Sequence, residues 1–287
     1  MKERVSLMML AVLIFALAGN VEVYANETTT EASSIAIFEK DLITGEETSK
    51  NILISSNKSI LDAESYQPEG ISPNVIIGDD ETIAVPEVFL SSIPNSAVGR
   101  VHVEHYDGSI SEGTGFLFGP NDVATAAHVL FNSNGSIAKR VTFWLPGKGG
   151  PVAHHTGSKL AIPGEFMDNQ SPNYDWGMFH INSNIGNTVG YLGWTTYVYV
   201  NDVVQVMGYP RGSSIQIMAG KQITGVEKYS ISHNVDTHEG QSGAPICKAS
   251  VDYKIVGIHI GGLGNLLNLG SRVTSDMAAT LSYYRNE

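Results

Sequence analysis

A histidine, an aspartate and a serine, each framed by small or aromatic residues, are the groups of this chain best suited to proton transfer and nucleophilic attack. His128 ends the run Ala124-Thr125-Ala126-Ala127-His128, which follows the largely apolar Gly113-Thr114-Gly115-Phe116-Leu117-Phe118. Small residues let the turn after a strand pack closely and leave the imidazole pointing into a cleft. A neutral imidazole is the side chain best matched to proton transfer near neutral pH. Asp175 lies in Asn173-Tyr174-Asp175-Trp176-Gly177-Met178-Phe179, among aromatic and apolar neighbours. A buried carboxylate needs a partner, and an imidazole that must be held in one tautomer is such a partner. Ser242 stands in Glu239-Gly240-Gln241-Ser242-Gly243-Ala244-Pro245. Gly240 permits a backbone that turns N–H groups toward one point, so the amides of Gly240 and Ser242 are the candidate oxyanion hole.

Taken singly, these segments fit a structural histidine, a turn-capping aspartate and an ordinary Gly-Ser turn at least as well. Together, in the order His, Asp, Ser and each in a strand context, they describe acyl transfer by a triad. The alternative elbow, G-x-S-x-G with the order Ser, acid, His, fails on two counts. Ala244 takes the place of the second glycine, and the only histidine after Ser242 is His259.

The TAAH, YDWG and GQSGAP segments resemble those of chymotrypsin-like serine proteases. Val256-Gly257-Ile258-His259-Ile260-Gly261-Gly262 resembles the glutamyl endopeptidases of the staphylococcal type. The similarity runs from about Val75 to the end of the chain. It implies an all-β fold of two six-stranded barrels with a C-terminal helix. Residues 75–190 would form the first barrel, with His128 and Asp175, and 191–287 the second, with Ser242. It further implies cleavage after Glu, and less readily after Asp, with a specificity pocket formed by His259, Thr237 and the amino group of a mature N-terminus at Val75. A carboxylate side chain must meet donors or positive charge in its pocket. His259 offers a ring N–H, Thr237 a hydroxyl and a free Val75 a full charge. Asn74-Val75 resembles the family's activation site, so an activating protease cutting near that bond is an implied partner. Gln241 replaces the aspartate that digestive relatives carry before the nucleophile, so their internal ion pair with the new N-terminus cannot form. Two readings compete: a toxin-like protease with a single host-protein target, and a binding protein that keeps the fold without turnover.

The elements that must position these groups are short strands. Val98–His105, 115–118, Val141–Leu145, 176–181, Val198–Gly208, 214–226 and 254–260 are rich in β-branched and aromatic residues and separated by Gly, Asn and Pro. One helix is expected over Asp276–Tyr284, capped by Ser275. Residues 26–74 are dominated by Thr, Ser, Glu and Asn, lack the means to build a core of their own, and read as either a stalk or a propeptide. The resemblance selects the propeptide.

Lys2 and Arg4 precede the apolar run Leu7–Ala18, and Val23-Tyr24-Ala25 closes it. This is the layout of a secretory signal peptide over residues 1–25, and the run is too short to span a bilayer. The expected product is therefore an extracellular bacterial monomer acting on proteins and peptides, with no stable membrane association. With 29 acidic against 17 basic residues, a net charge of -12, no nucleic-acid partner is expected. The single cysteine, Cys247, permits no disulfide within the chain and reads as core filling. No cofactor or metal is expected. His102-Val103-Glu104-His105 is not a zinc-binding HExxH, and its histidines fall on opposite strand faces. His154, His155, His180, His233 and His238 read as surface or packing residues, and Asp79-Asp80-Glu81 as a solvated turn.

Overall fold

The structure is a computed structural model that describes residues 33–54, 56–63, 82–146, 153–250, 252–263 and 267–287. The expected signal peptide, the expected activation bond Asn74–Val75 and Asp79-Asp80-Glu81 lie outside the described residues.

Among the described residues, four strands precede the first barrel: β1 (Ser34–Asp41), β2 (Glu47–Leu53), β3 (Asp62–Ala63) and β4 (Ile83–Ala84). The barrel itself is built from β5 (Val98–His105), β6 (Ile110–Leu117), β7 (Asp122–Thr125), β8 (Ala138–Leu145), β9 (Ala153–Pro163) and β10 (Gly177–Ile181). They lie in the order β10-β7-β6-β5-β8-β9, and β10 pairs with β9 to close the ring. The two-residue period of a strand is plain in β5. Val101 and Val103 are buried while Arg100, His102 and Glu104 are half-buried on the other face. Phe116, Phe143, Leu160 and Phe179 fill the interior, each worth about 1.5–3 kcal/mol relative to exposure.

The second barrel follows β11 (Trp194–Thr195). It comprises β12 (Val203–Gly208), β13 (Ile217–Val226), β14 (Ser230–His233), β15 (Pro245–Lys248), β16 (Ile255–Leu263) and β17 (Leu267–Arg272). The order is β15-β12-β13-β14-β17-β16, closed by β15–β16. Val204, Val206, Ile223, Ile231, Ile246 and Val256 form its separate core. The C-terminal helix, Ser275–Arg285, buries Met277, Leu281 and Tyr284 as its spacing predicts.

Several expectations are corrected. The helix is capped by Thr274, whose extended backbone lets its hydroxyl accept from Met277 N–H at 3.3 Å; Ser275 is already helical. The strand expected from Val198 starts at Val203, because Asn201 takes a left-handed turn (φ 72) tied by the Tyr199 N–H to the Asp202 carboxylate at 2.9 Å. β9, with His, Thr, Gly, Ser and Lys in it, is invisible to composition and is held by its partners β8, β10 and β1. Residues 34–63 form no core of their own, in keeping with their composition. They add to the barrels instead: β1 and β2 extend the first sheet beyond β9, and β3 extends the second through β11.

Candidate active site

β7 and β10 run antiparallel with Thr125 opposite Gly177. The chain leaves β7 toward His128 and enters β10 from Asp175, so this register brings the two residues to one end of the same strand pair. His128 sits in the helical turn Ala127–Leu130. Asp175 Oδ2 accepts from His128 Nδ1 at 2.7 Å, and Oδ1 accepts from the His128 backbone N–H at 2.9 Å. With Nδ1 donating, Nε2 is the free acceptor of the neutral ring. The second barrel secures the aspartate: Ser271 on β17 donates its hydroxyl to the Asp175 carbonyl at 3.0 Å. Burial opposes a charge on His128, but the charge of Asp175 and its hydrogen bond outweigh this and raise the imidazole above its ordinary 6.5.

Ser242 comes from the loop before β15, and backbone hydrogen bonds tie this loop to β6 of the first barrel and β16 of the second. The Ser242 carbonyl accepts from Thr114 N–H at 2.8 Å, and Gly243 N–H donates to the His259 carbonyl at 2.7 Å. Gly243 must be glycine. Its φ is +89°, and a Cβ there would stand 2.1 Å from the Thr114 carbonyl and 2.9 Å from Ala126 N. Gly240 has φ +98°, and a Cβ would meet Arg211 N at 2.3 Å. Among the described residues, neither the Gly240 N–H nor the Ser242 N–H donates to a protein acceptor, while Gln241 N–H, Gly243 N–H and Ala244 N–H all do. Gln241 is buried and turns inward, its Oε1 accepting from His238 N–H at 2.7 Å. Its side chain is thus used in holding the loop.

His259 on β16 follows directly, since its backbone N–H donates to the Ala244 carbonyl at 2.9 Å. It is 3% exposed, and its Nδ1 has no hydrogen-bond partner among the described residues. Burial, reinforced by His233 and His128, pushes it down to about 3, so at neutral pH it is an uncharged ring. His233 packs edge-on against it, with ring centroids 5.4 Å apart. Thr237 is half-buried between β14 and the serine loop. Val75 lies outside the described residues.

Three residues of the site carry no functional signal in the sequence reading. Thr114 joins the two barrels: its hydroxyl donates to the Gly240 carbonyl at 3.0 Å and accepts from Tyr209 N–H at 3.0 Å. Its own carbonyl accepts from the Thr125 hydroxyl at 2.7 Å. A hydroxyl between two glycines on a buried strand was the available signal. Ser271 and His233 stand in strands whose pattern says only that they are half of a pleat. Of the remaining histidines, His105 bonds Ser111 at 2.7 Å, His180 pairs with Asp122 at 2.7 Å, His154 stacks on Trp144 and His238 is exposed. Cys247 is fully buried and its thiol is pushed up by that burial.

Comparison with known proteins decides the family. The model of the trypsin-like peptidase domain matches residues 113–258, a span that holds His128, Asp175, Ser242 and the strands between them. The chain belongs to the trypsin-like peptidases. This peptidase is a serine endopeptidase of the chymotrypsin-like family. It is 30% identical over 228 residues to a Bacillus subtilis protein named extracellular metalloprotease, covering 76% of this chain and 72% of that one. It is 29% identical over 249 residues to the glutamyl endopeptidase of Bacillus licheniformis, covering 81% and 76%. Among solved structures, a Glu endopeptidase matches with a TM-score of 0.63 at 23% identity, over 74% of this chain and all of that one. The protease Anisep of Arthrobacter nicotinovorans matches with a TM-score of 0.56 at 19% identity, over 64% and 96%. Among the described residues of the peptidase, no group of three or more His, Cys, Asp or Glu is arranged to hold a metal ion.

Proposed function

We propose that this peptidase is secreted as a zymogen and cleaves peptide bonds after Glu, less readily after Asp, with His128, Asp175 and Ser242 as its triad. The observation that carries the triad is the doubly bonded His128–Asp175 pair, with the Ser242 loop seated against Ala126 and its two amides unspent. Ser242 Oγ attacks the scissile carbonyl carbon while its proton passes to His128 Nε2. The oxyanion takes the Gly240 and Ser242 N–H groups. The C–N bond then breaks, with the proton delivered to the departing amine. Water attacks the acyl-enzyme, gives its proton to His128, and Ser242 regains it as the acid product leaves.

Specificity for Glu is supported by the neutral, buried His259, whose Nδ1 bonds none of the described residues, and by the similarity to a glutamyl endopeptidase. The positive charge such a pocket needs is assigned to the amino group of Val75, freed by an activating protease. β4, which begins eight residues after Val75 in the sequence, pairs with β13 of the second barrel, the barrel that also carries His259. Labelling of Ser242 by an organofluorophosphate tests the enzyme assignment, and a Ser242→Ala variant must abolish both labelling and turnover. A peptide panel varied at the residue before the cut tests the pocket. Equal kcat/KM for Glu and Gln defeats it. N-terminal sequencing of secreted protein reads both processing sites. The silent binding protein is not favoured, since the chain belongs to a peptidase family and its acid–base pair is bonded. Nothing in the site favours a single host-protein target.

A further inference from the structure

Residues 34–63 precede the activation bond, yet they are built into the enzyme. β1 lies along β9 with Ile37 opposite Pro163, Glu39 opposite Ala161 and Asp41 opposite Lys159, and Leu42 N–H continues the ladder to the Ser158 carbonyl at 2.8 Å. Ile35, Ile37 and Ile52 are buried in the same core as the first barrel. Glu39, 6% exposed, is bonded to Tyr284 and sits 2.8 Å from Lys50 and 3.7 Å from Lys159. Lys159 in turn bridges to Glu287 at 2.9 Å. On the second barrel, β3 pairs with β11. Trp194 Nε1 donates to the Ile60 carbonyl at 2.7 Å, Thr196 N–H to the Leu61 carbonyl at 3.0 Å, and Lys254 pairs with Asp62 at 2.8 Å.

We propose that residues 34–63 remain bound after activation, as the smaller chain of a two-chain enzyme that straps β9, β11 and the C-terminal helix together. The proposal rests on the zymogen reading above and extends it. Removal of the segment would leave the β9 edge open from Lys159 to Pro163, the Tyr284 hydroxyl and Lys159 without Glu39, and Trp194 Nε1 without an acceptor. Buried groups left so are strongly unfavourable. None of the bonds named here reaches His128, Asp175, Ser242 or His259. Activation on this view frees an amino group without uncovering a cleft. The hairpin cannot persist alone, since an isolated two-stranded ribbon is marginal in water, so its order comes from the barrels it joins.

The test uses the full chain carrying Ser242→Ala, with residues 68–73 replaced by the recognition sequence of a site-specific cysteine protease. After complete cutting, both chains are expected to co-elute in gel filtration, and native mass spectrometry is expected to show their summed mass. Separation under native conditions overturns the proposal. In the same cut protein, a Glu39→Gln/Lys50→Met pair is expected to raise the dissociation constant of the smaller chain by about a hundredfold. An unchanged constant overturns the assigned surface. N-terminal sequencing of secreted wild-type protein keeps the two readings apart. Val75 found without a retained smaller chain defeats only the strap. Retention in the cut protein with no natural end at Val75 defeats only the zymogen.

Discussion

Two effects oppose each other at His128: burial disfavours its charge, and Asp175 at 2.7 Å favours it, with Asp175 prevailing. The raised value means that the base form is scarcer at mildly acid pH than for a free imidazole. The acid limb of kcat/KM is therefore expected to have its midpoint above 6.5. The pair's contribution to stability has the opposite sense, being complete below 6.5 and lost as pH rises through the folded value. Asp175→Asn is expected to lower kcat by about 10⁴ and to move that midpoint down, measured in the same profile. Thr114 makes a separate residue-scale case, because it touches no substrate and acts by holding Gly240. Thr114→Val is expected to lower kcat with little change in KM, and Thr114→Ser to restore it. A loss in thermal stability with kcat intact would show that the hydroxyl only packs. At His259 a value near 3 leaves a donor without charge. If Val75 supplies that charge, cleavage after Glu should decline above about pH 8, where an α-amino group deprotonates, while cleavage of a Gln substrate should not.

The hairpin of β1 and β2 shows how an element depends on ionisation. Burial raises the Glu39 carboxyl, but hydrogen bonds from Lys50 and Tyr284 and the charges of Lys159 and Lys50 outweigh it and hold it below its ordinary 4.5. Thr48 and Tyr283 also face this cluster, and Glu287 and Asp41 are further acids beside Lys159. A depressed carboxylate stabilises the fold fully above 4.5 and loses that contribution as pH falls through its folded value. Amide exchange in residues 34–53 is therefore expected to accelerate on acidification before exchange in β5 does. Glu39→Gln is expected to abolish that difference in onset. Composition alone exposed neither this hairpin nor β9, since each is half polar and gains its apolar face only through its neighbours.

Over the whole molecule, two barrels with separate closures meet at Thr114, Tyr209 and the Ser242 loop. No disulfide supports this joint, because Cys247 is the single cysteine. A strong reductant is therefore expected to leave Tm unchanged. Ile37→Ala, in the core shared by the hairpin and the first barrel, is expected to cost about 2–5 kcal/mol in denaturant unfolding of the uncut chain. A cost within error would show the hairpin to be only peripherally attached.

The chain's residues by themselves determined the kind of chemistry and most of the strands. His128, Asp175 and Ser242 stand in short contexts set by local sterics: small residues before the imidazole and glycines around the serine. Val98–His105 declares itself by β-branched residues and by the alternation of Val101 and Val103 with Arg100, His102 and Glu104. Local patterns cannot specify who pairs with whom, and tertiary structure decided the rest. The Thr125–Gly177 register joins His128 to Asp175, and Thr114 secures the serine loop from the opposite barrel. It also gave the polar segment 34–63 a place in the core, because a strand's buried face exists only once another element covers it.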